Sequence, residues 1–499
     1  MGCTSSSSAA KEVVQEIHSN NASLRKTQDL SHNLVHEEFV RHVKQVYDFD
    51  GKKMTKGAFG TVQICTHKES GDKVALKTIR LSKLKKKESI ERLLAEIDIM
   101  RRLDHPNIVR LQEVYHTKDY LFMVMDLMHG GDLAEQYVFK SESNARAIVR
   151  QVVFALRYCH DRNIAHRDLK LDNLLYASSE PGSPIKIIDF GLAVLWKDGE
   201  DGVAEHDIVG SWHYVAPEVM SGVYDPKQCD MWSLGVIVYM LLSGKSPFHA
   251  PSVAETKGLV SAGRFDIVTG NWRRISEPAK NFVRRCLQKN PGLRMTAQEA
   301  QSHLWLTTDA SPGEEGGELS PLDATVTGSI IDFTKQSRMK QLALAAVART
   351  LDQTQVKELI YAFTKADVTN NGVVTLEEFK TILTVTASEL PGFAKVDEEQ
   401  VEGMFARIDT DGSGKLHLNE FLAATLQQQH LNEKRLMAAF QRLDRSHTGF
   451  ITVEDIEFTV GTELSQAEVQ GAIKQFDFDG NGRVSYEEFR RGMLAAENQ

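Results

Sequence analysis

The segment His166-Arg167-Asp168-Leu169-Lys170-Leu171-Asp172-Asn173 decides the fold of the first part of this chain of 499 residues. It places a carboxylate, an ammonium group and a carboxamide within one short polar loop. Asp189-Phe190-Gly191 and Ala216-Pro217-Glu218 follow it in that order. Transfer of a phosphoryl group needs a carboxylate that positions the attacking hydroxyl, a cation beside the phosphate and ligands for Mg²⁺. The three motifs together indicate this chemistry.

Residues upstream of these motifs supply the remaining parts of such a site. Gly57-Ala-Phe-Gly60-Thr-Val62 fits the end of a glycine-rich loop that covers phosphates, although Thr55 replaces its first glycine. Alone, this loop is more often only a tight turn. Lys77 in a predicted strand can neutralise phosphates, and Glu96 on a predicted helix is placed to pair with it. Either charge in isolation would simply be solvated.

With these motifs, residues 47–306 resemble a eukaryotic protein kinase domain, in which a strand-rich lobe precedes a helix-rich lobe. The resemblance implies that Asp168 orients the hydroxyl, that Lys170 steadies the phosphate, and that Lys77 and Glu96 complete the catalytic set. A lysine at position 170 resembles the residue that serine/threonine kinases carry there. The resemblance also implies magnesium ligands at Asn173 and Asp189, and an ATP site formed by Gly57, Gly60, Val62, Ala75, Lys77, Met125, Asp126, Met128, Asp132 and Leu175.

Two further features concern substrate choice and activation. Asp132 and Asp172 stand where basophilic kinases bind an arginine before the phosphoacceptor, so substrates resembling Arg-x-x-Ser/Thr are expected. For Asp132, a ribose contact or a helix cap is an equal alternative. Asp207 stands where many kinases carry an activating phosphothreonine, and its carboxylate could hold Arg167 without phosphorylation.

The last third of the chain contains an internal repeat of Asp-rich segments at 367–378, 409–420, 444–455 and 477–488. An EF-hand loop binds calcium through positions 1, 3, 5, 7, 9 and 12, with glycine at position 6. The second and fourth segments meet this pattern, and hydrophobic residues at their position 8, Leu416 and Val484, predict short strands that pair the loops. Their expected ligands are Asp409, Asp411, Ser413, Lys415 and Glu420, and Asp477, Asp479, Asn481, Arg483 and Glu488.

The first and third segments depart from the pattern. The first offers Asp367, Thr369, Asn371, Val373 and Glu378, and it lacks a carboxylate at position 3. The third offers Asp444, Ser446, Thr448, Phe450 and Asp455, and an aspartate at position 12 reaches the ion less readily than a glutamate. Weaker binding is expected in the first. The third is equally well explained as a structural partner of the fourth.

Charge and composition predict how these parts are joined. From Val356 onward, 14 Lys and Arg face 24 Asp and Glu, which argues against nucleic acid and favours cations or basic helices as partners. Residues 307–324 form an acidic linker. Residues 325–355 contain a basic stretch with apolar anchors, from Phe333 to Leu344, which resembles a calmodulin-target helix. We expect the EF-hand domain, residues 356–499, to bind this autoregulatory junction; an ordinary linking helix is the alternative.

The N-terminal sequence predicts attachment to a membrane by acylation. Met1-Gly2-Cys3-Thr4-Ser5-Ser6 matches the pattern for myristate on Gly2, and Cys3 is placed to carry palmitate. No apolar run is long enough to span a bilayer, and the five cysteines form no CxxC pair. We expect residues 1–46 to be a largely flexible extension, and the protein to be cytoplasmic and membrane-associated.

A kinase domain, a junction and four EF-hands together resemble the calcium-dependent protein kinases of plants and protists. The predicted fold class is multi-domain α+β: a bilobal kinase followed by an all-α calmodulin-like domain. The resemblance implies a monomeric enzyme that uses ATP, magnesium and calcium, phosphorylates Ser/Thr in basic contexts, and is inhibited until calcium binds. A calcium-binding pseudokinase scaffold and a calcium-insensitive kinase are the competing interpretations.

Overall fold

The structure is a computed structural model. It describes residues 36–38, 43–56, 60–84, 87–117, 119–136, 141–196, 203–204, 212–307, 322–351, 356–369, 371–389, 398–410, 412–427, 430–444, 448–460 and 466–494.

The strands are β1 His36–Glu38, β2 Tyr47–Lys56, β3 Gly60–His67, β4 Lys73–Arg80, β5 Leu111–His116, β6 Tyr120–Asp126, β7 Ile164–Ala165, β8 Leu174–Tyr176, β9 Ile185–Ile187, β10 Val194–Leu195, β11 Val203–Ala204, β12 Val223–Tyr224, β13 Val374–Thr375, β14 Lys415–Leu416, β15 Phe450–Ile451 and β16 Val484–Ser485. The first strand that the structure describes, β1, lies within the segment 1–46 that the sequence assigned to the N-terminal extension.

The helices are α1 Val43–Val46, α2 Lys87–Arg102, α3 Leu133–Gln136, α4 Glu142–Asp161, α5 Pro226–Ser243, α6 Val253–Ala262, α7 Glu277–Cys286, α8 Ala297–Gln301, α9 Leu304–Thr307, α10 Ala324–Lys335, α11 Arg338–Thr350, α12 Lys357–Ala366, α13 Leu376–Glu389, α14 Glu398–Ile408, α15 Leu418–Thr425, α16 Glu433–Leu443, α17 Val453–Val460, α18 Gln466–Phe476 and α19 Tyr486–Leu494.

The chain divides into two compact units. The first comprises residues 1–90, 110–127 and 319–499, so it joins the strand-rich part of the kinase segment to the EF-hand region. The second comprises residues 91–109 and 128–318 and contains most of the helices of the kinase segment.

The first unit contains a six-stranded sheet with the order β1-β5-β6-β4-β3-β2. Only β1 pairs in parallel within it, with β5. Because side chains alternate between faces along a strand, register assigns each residue to one face. Cys65 lies opposite Val74 and Leu76 opposite Val124. These buried residues form one apolar core with Val43, Tyr47, Tyr115 and Phe122 on a single face.

The EF-hand region of the first unit is helical and has its own core. Two short antiparallel pairs join its loops, with Val374 opposite Leu416 and Ile451 opposite Val484. The pairing predicted from Leu416 and Val484 is therefore confirmed. The core also includes the junction, whose Ile330 and Met339 are fully buried among EF-hand residues.

The junction consists of two helices, whereas the sequence predicted one. Helix α10 ends at Lys335, and α11 begins after Ser337, whose hydroxyl accepts a hydrogen bond from the Lys340 backbone N–H. A serine cap satisfies an N–H group that lacks a partner in the first turn of a helix, so it favours a new helix start there. Gln341 holds the corner by donating to the Phe333 carbonyl at 3.1 Å.

The second unit is built around α5, which is buried on almost every side. Asp225 caps its N-terminus through the Lys227 N–H, and Pro226 fits the first turn, where no donor is needed. Its apolar residues pack against α4 and α7. Within the described ranges of the chain, no helix combines the length and apolarity needed to cross a membrane.

Gly235 in α5 permits the close packing of α5 on α7. A Cβ atom there would lie 2.7 Å from the Cys286 Cβ and 2.9 Å from Leu287 Cδ2. We expect Gly235→Ala to lower the free energy of unfolding by about 1–3 kcal/mol, the usual cost of overpacking. Gly258→Ala in α6, where no atom lies within 4 Å, is the matched control and should be neutral or slightly stabilising. Equal melting temperatures for the two variants would contradict this packing.

Candidate active site and calcium-binding loops

A buried carboxylate fixes the loop that carries the proposed catalytic residues. The Asp230 side chain is fully buried, and it accepts hydrogen bonds from the backbone N–H groups of His166 and Arg167, both at 2.8 Å. The His160 ring lies 2.9 Å from the same carboxylate. Arg167 adopts the left-handed region with φ 63°, which is costly for a residue with a Cβ. The bonds to Asp230 hold the loop in this conformation.

Two of the predicted catalytic side chains, Asp168 and Lys170, meet in this loop with Asn173, a predicted magnesium ligand. Lys170 Nζ lies 2.5 Å from Asp168 Oδ2, and Asn173 Nδ2 donates to the same oxygen at 3.2 Å. A second bond from Asn173 Nδ2 to the Asp168 carbonyl, at 2.8 Å, fixes the amide. Asp168 is therefore held by two donors and can accept a bond from a substrate hydroxyl. The Asn173 amide oxygen suits Mg²⁺, which prefers oxygen ligands.

The Asp189-Phe190-Gly191 motif lies beside the same loop. The rings of His166 and Phe190 pack edge to face with centroids 4.8 Å apart, and His166 Nε2 lies 2.9 Å from the Ile188 carbonyl. Asp189 also has a positive φ, 62°. A Cβ on Gly191 would lie 3.6 Å from Glu96 Oε2, so the buried Glu96 carboxylate on α2 reaches this motif.

Arg167 makes contacts other than the predicted one. Its Nε donates to the Leu192 carbonyl at 2.7 Å, and its Nη1 to the Tyr224 hydroxyl at 3.3 Å. Asp207 lies outside the described residues, so its role stays a prediction.

Glu218 of the Ala216-Pro217-Glu218 motif pairs with Arg294, whose Nη2 donates to Glu218 Oε2 at 3.0 Å. This largely buried pair connects the motif to the segment between α7 and α8.

Five of the predicted ATP-site residues share one face of the six-stranded sheet. Val62 lies opposite Lys77, Gly60 opposite Ile79, and Ala75 opposite Met125. Along β4, positions 75, 77 and 79 alternate with positions 74 and 76, which belong to the apolar core. The face away from that core therefore carries Gly60, Val62, Ala75, Lys77 and Met125. Gly60 also has a packing reason, because a Cβ there would overlap the Thr78 carbonyl oxygen.

The other predicted ATP-site residues have separate positions. Asp126 Oδ1 accepts from Gln112 Nε2 at 2.7 Å and lies 3.2 Å from Arg110 Nη2. Met128 is buried, and Leu175 pairs with Asp132 in an isolated bridge. Gly57 lies outside the described residues. Lys77 and Glu96 belong to different units, so their pairing stays a prediction.

The two proposed substrate-binding acids differ in environment. Asp132 Oδ1 accepts from the Glu135 backbone N–H at 2.8 Å, which is the cap that the sequence left as an alternative. Asp172 is exposed at the start of the turn that follows Lys170.

The calcium loops share one hydrogen-bond pattern. In each loop the position-1 aspartate accepts backbone N–H bonds from positions 5 and 6; in the fourth loop, Asp477 accepts from Asn481 at 3.0 Å and from Gly482 at 2.8 Å. The corresponding bonds involve Asp367, Asp409 and Asp444. The side chain at position 12 also accepts from the backbone N–H of position 9. At the loop positions that the structure describes, the four loops are therefore folded alike.

The fourth loop gathers three carboxylates. Single oxygens of Asp477, Asp479 and Glu488 all lie within 4.8 Å of one another, which suits one Ca²⁺ ion. Partial burial raises the pKa of Asp477 and Glu488, but backbone N–H bonds outweigh it and hold both pKa values below their usual range. Both groups are therefore ready to bind a cation in their charged form.

The second loop places its position-12 ligand in the protein interior. Burial, partly offset by bonds from His417 and Thr410, raises the pKa of Glu420 to about 8. Thr410 N–H donates to Glu420 Oε1 at 2.7 Å. Ser413 Oγ donates to the Lys415 carbonyl at 2.9 Å, so the oxygens of these two predicted ligands lie next to each other in the loop. Asp411 lies outside the described residues. A bound cation would compensate the buried negative charge.

The first and third loops retain the pattern with different side chains at the ligand positions. In the first loop, Glu378 accepts from Thr369 N–H at 2.8 Å, and Asn371 Oδ1 accepts from Val373 N–H at 3.0 Å. In the third loop, Asp455 accepts from Thr452 N–H at 2.9 Å, and Thr448 Oγ1 donates to the Phe450 carbonyl at 3.0 Å. Ser446 lies outside the described residues, as do Gly2 and Cys3.

Sequence reasoning treated position 9 only as a calcium ligand and missed its role as a cap. Thr375, Thr452 and Ser485 each bond through the hydroxyl to the carboxylate at position 12, and His417 forms the corresponding capping box. A Ser or Thr three residues before Glu is the known sequence signal of such a box. Position 9 therefore fixes the orientation of the position-12 carboxylate.

Fold and site define this chain as a protein kinase fused to EF-hands. Residues 49–306 match the protein kinase domain family, and residues 356–426 and 433–494 match the EF-hand domain pair. The chain is 36% identical over 458 residues to calcium-dependent protein kinase 34 of Arabidopsis thaliana, covering 90% of this chain and 84% of that one. It is also 36% identical to calcium-dependent protein kinase 2 of Zea mays, covering 90% and 85%.

The chain belongs to the calcium-dependent protein kinase family. It is a serine/threonine kinase, and its two regions imply use of ATP with magnesium and binding of calcium.

The carboxylate cluster of the fourth loop leads to a binding prediction. Glu488→Gln removes one negative charge and should weaken calcium binding at this loop at least about tenfold, because ligand charge sets EF-hand affinity. Isothermal titration calorimetry of the full chain measures this change. Glu487→Gln, which alters the exposed neighbour, is the matched control. Equal calcium affinities for the two variants would show that the cluster does not bind the ion.

Proposed function

We propose that calcium binding to the EF-hands activates this kinase, which is inhibited in the absence of calcium. The observation that supports this most is the burial of the junction. Helix α11 has ten buried residues among its thirteen, and the eight apolar ones belong to the same core as the EF-hand helices. A change in the EF-hand core therefore cannot leave the junction unaffected.

Polar contacts connect the junction to the second calcium loop. Arg338 Nη2 at the start of α11 donates to the Thr410 carbonyl at 3.4 Å, and Thr410 N–H donates to Glu420. Arg407 donates to the Thr334 carbonyl at the end of α10. A calcium ion that draws Glu420 toward the other ligands of the loop would also move Thr410 and the arginine contacts to the junction. Calcium is known to open pairs of EF-hand helices.

In the catalytic site, Asp168 would accept the bond from the substrate hydroxyl and hold its proton near the carboxylate. Lys170, 2.5 Å from Asp168, would place its positive charge beside the transferring phosphate. Asn173 and Asp189 would hold Mg²⁺, which would neutralise the negative charge of the phosphates. This intact set argues against a pseudokinase scaffold.

For substrates, we propose that an arginine before the phosphoacceptor binds Asp172, with Asp132 as a second contact. Asp172 is exposed and lies between Lys170 and Asn173, close in sequence to the transfer site.

For location, we propose attachment to a membrane through acyl groups on Gly2 and Cys3. The sequence pattern alone supports acylation, and the mass of the N-terminal peptide tests it.

Calcium activation is tested by titrating peptide phosphorylation with calcium. The full chain should have low activity in chelator and a steep rise with calcium, and a chain that ends after Ala310 should lose this response. Asp168→Asn is the control for catalysis and should be inactive throughout. Full activity in chelator would favour a calcium-insensitive kinase. Calcium binding without any transfer would favour the scaffold.

Recognition of arginine is tested with two peptides that differ at one position. Asp172→Asn should raise KM for a peptide with Arg three residues before the phosphoacceptor by about tenfold, since a charge-assisted bond is lost. KM for the matching peptide with Leu at that position should not change. The same increase for both peptides would mean that Asp172 acts elsewhere in the site.

A further inference from the structure

The face of the six-stranded sheet that lies opposite the ATP-site residues carries a buried acid. Glu113 of β5 pairs in register with Val124, and it therefore lies on the same face as the apolar core. Its Oε2 accepts hydrogen bonds from the hydroxyls of Tyr47 and Tyr115, both at 2.7 Å. The two tyrosines hold a carboxylate at a place where an isolated charge would be costly.

The partner of this carboxylate comes from the third EF-hand. Arg442, in the last turn of α16, places Nη2 3.5 Å from Glu113 Oε1, and both side chains are more than nine-tenths buried. A charged pair at this depth persists only where both members are present, because either one alone would be left uncompensated. The pair therefore links the kinase segment to the calcium-binding region at a defined register.

Other residues of α16 follow the same side of the sheet. Gln441 bonds to Glu69 in the turn between β3 and β4, and Lys434 Nζ lies 3.7 Å from where a Cβ of Gly71 would be. Positions 434, 441 and 442 are seven and eight residues apart, a spacing that places them on one helix face. The kinase side contributes the acids Glu69 and Glu113 here, and α16 contributes the amide of Gln441 and the bases Lys434 and Arg442.

A second contact joins the junction to the same edge. Arg110, just before β5, donates through Nη2 to the carbonyl of Leu351 at the C-terminal end of α11, at 3.1 Å. Cations are favourable at this end of a helix. Since Arg110 also lies against Asp126 at the end of β6, one side chain contacts both the junction and the strand that carries Met125.

We propose that Glu69, Arg110 and Glu113 form a docking surface for the junction and the third EF-hand, with Glu113–Arg442 as its specific anchor. The third EF-hand, whose loop has the weakest calcium ligands, then acts mainly as the attachment of the sensor to the kinase. The existence of the docking surface does not depend on calcium activation. Its role in regulating the kinase rests on the proposed activation by calcium.

Crosslinking of the full chain tests the docking directly. Glu69→Cys and Gln441→Cys are combined with Cys3→Ser, and a short bis-maleimide is added in chelator and in calcium. The other native cysteines, at 65, 159, 229 and 286, are buried. The intramolecular crosslink should form efficiently in at least one condition. Its absence from both would overturn the proposal.

Charge variants then test the anchor. Arg442→Met should reduce the crosslink yield at least fivefold by leaving Glu113 buried without its partner, whereas Arg435→Met on the same helix should change it less than twofold. Adding Glu113→Gln to Arg442→Met should restore most of the yield, because the uncompensated charge is removed. Equal yields in Arg442→Met and Arg435→Met would reject the anchor. If Arg442→Met fails to fold, Glu113→Gln alone tests the same pair from the kinase side and should also reduce the yield.

Calcium-stimulated phosphorylation is measured on the same preparations before the crosslinker is added. Loss of calcium stimulation with an Arg442-dependent crosslink would reject calcium activation and leave the docking surface standing. Intact stimulation without the crosslink would reject the docking surface alone.

Discussion

Helix α11 lies in the interior of the calcium-binding region, and the arrangement of that region depends on its burial. Its apolar side chains, such as Met339 and Val347, fill a core that the EF-hand helices enclose. Without α11, those helices would expose a large apolar surface, which water disfavours. The four loops are therefore assembled around the segment that continues from the kinase domain, and the sensor cannot be treated as an appended module.

The catalytic loop depends on a different constraint. Fully buried Asp230 accepts two backbone N–H bonds and contacts His160, and this network supports the unfavourable backbone conformation of Arg167. Strain of this kind is tolerated where the surroundings over-determine the geometry. Asp168 and Lys170 are thereby placed 2.5 Å apart by the body of the second unit, not by the loop itself.

The sheet of the first unit serves two purposes on its two faces. One face carries Val62, Ala75, Lys77 and Met125, which are expected to surround ATP, and the other carries Glu113 within an apolar core. Because the same strands carry the side chains of both faces, a displacement of a strand moves the residues on both faces together. The proposed docking of α16 at Glu113 would thus act on the strands that hold the nucleotide residues.

The sequence alone determined the catalytic motifs, the four calcium loops and the strand pairs at Leu416 and Val484, because these depend on short-range spacing and on residue chemistry. It also indicated that a basic, apolar junction would be bound by the EF-hands. Only the tertiary structure decided that the junction turns at Ser337 and that Asp132 caps a helix. It alone brought Glu113 to Arg442, since these residues lie 329 positions apart in the chain. Local pattern cannot predict such a pair, because a lone Glu in a strand and a lone Arg in a helix are both usually solvated; folding made them partners by burying both.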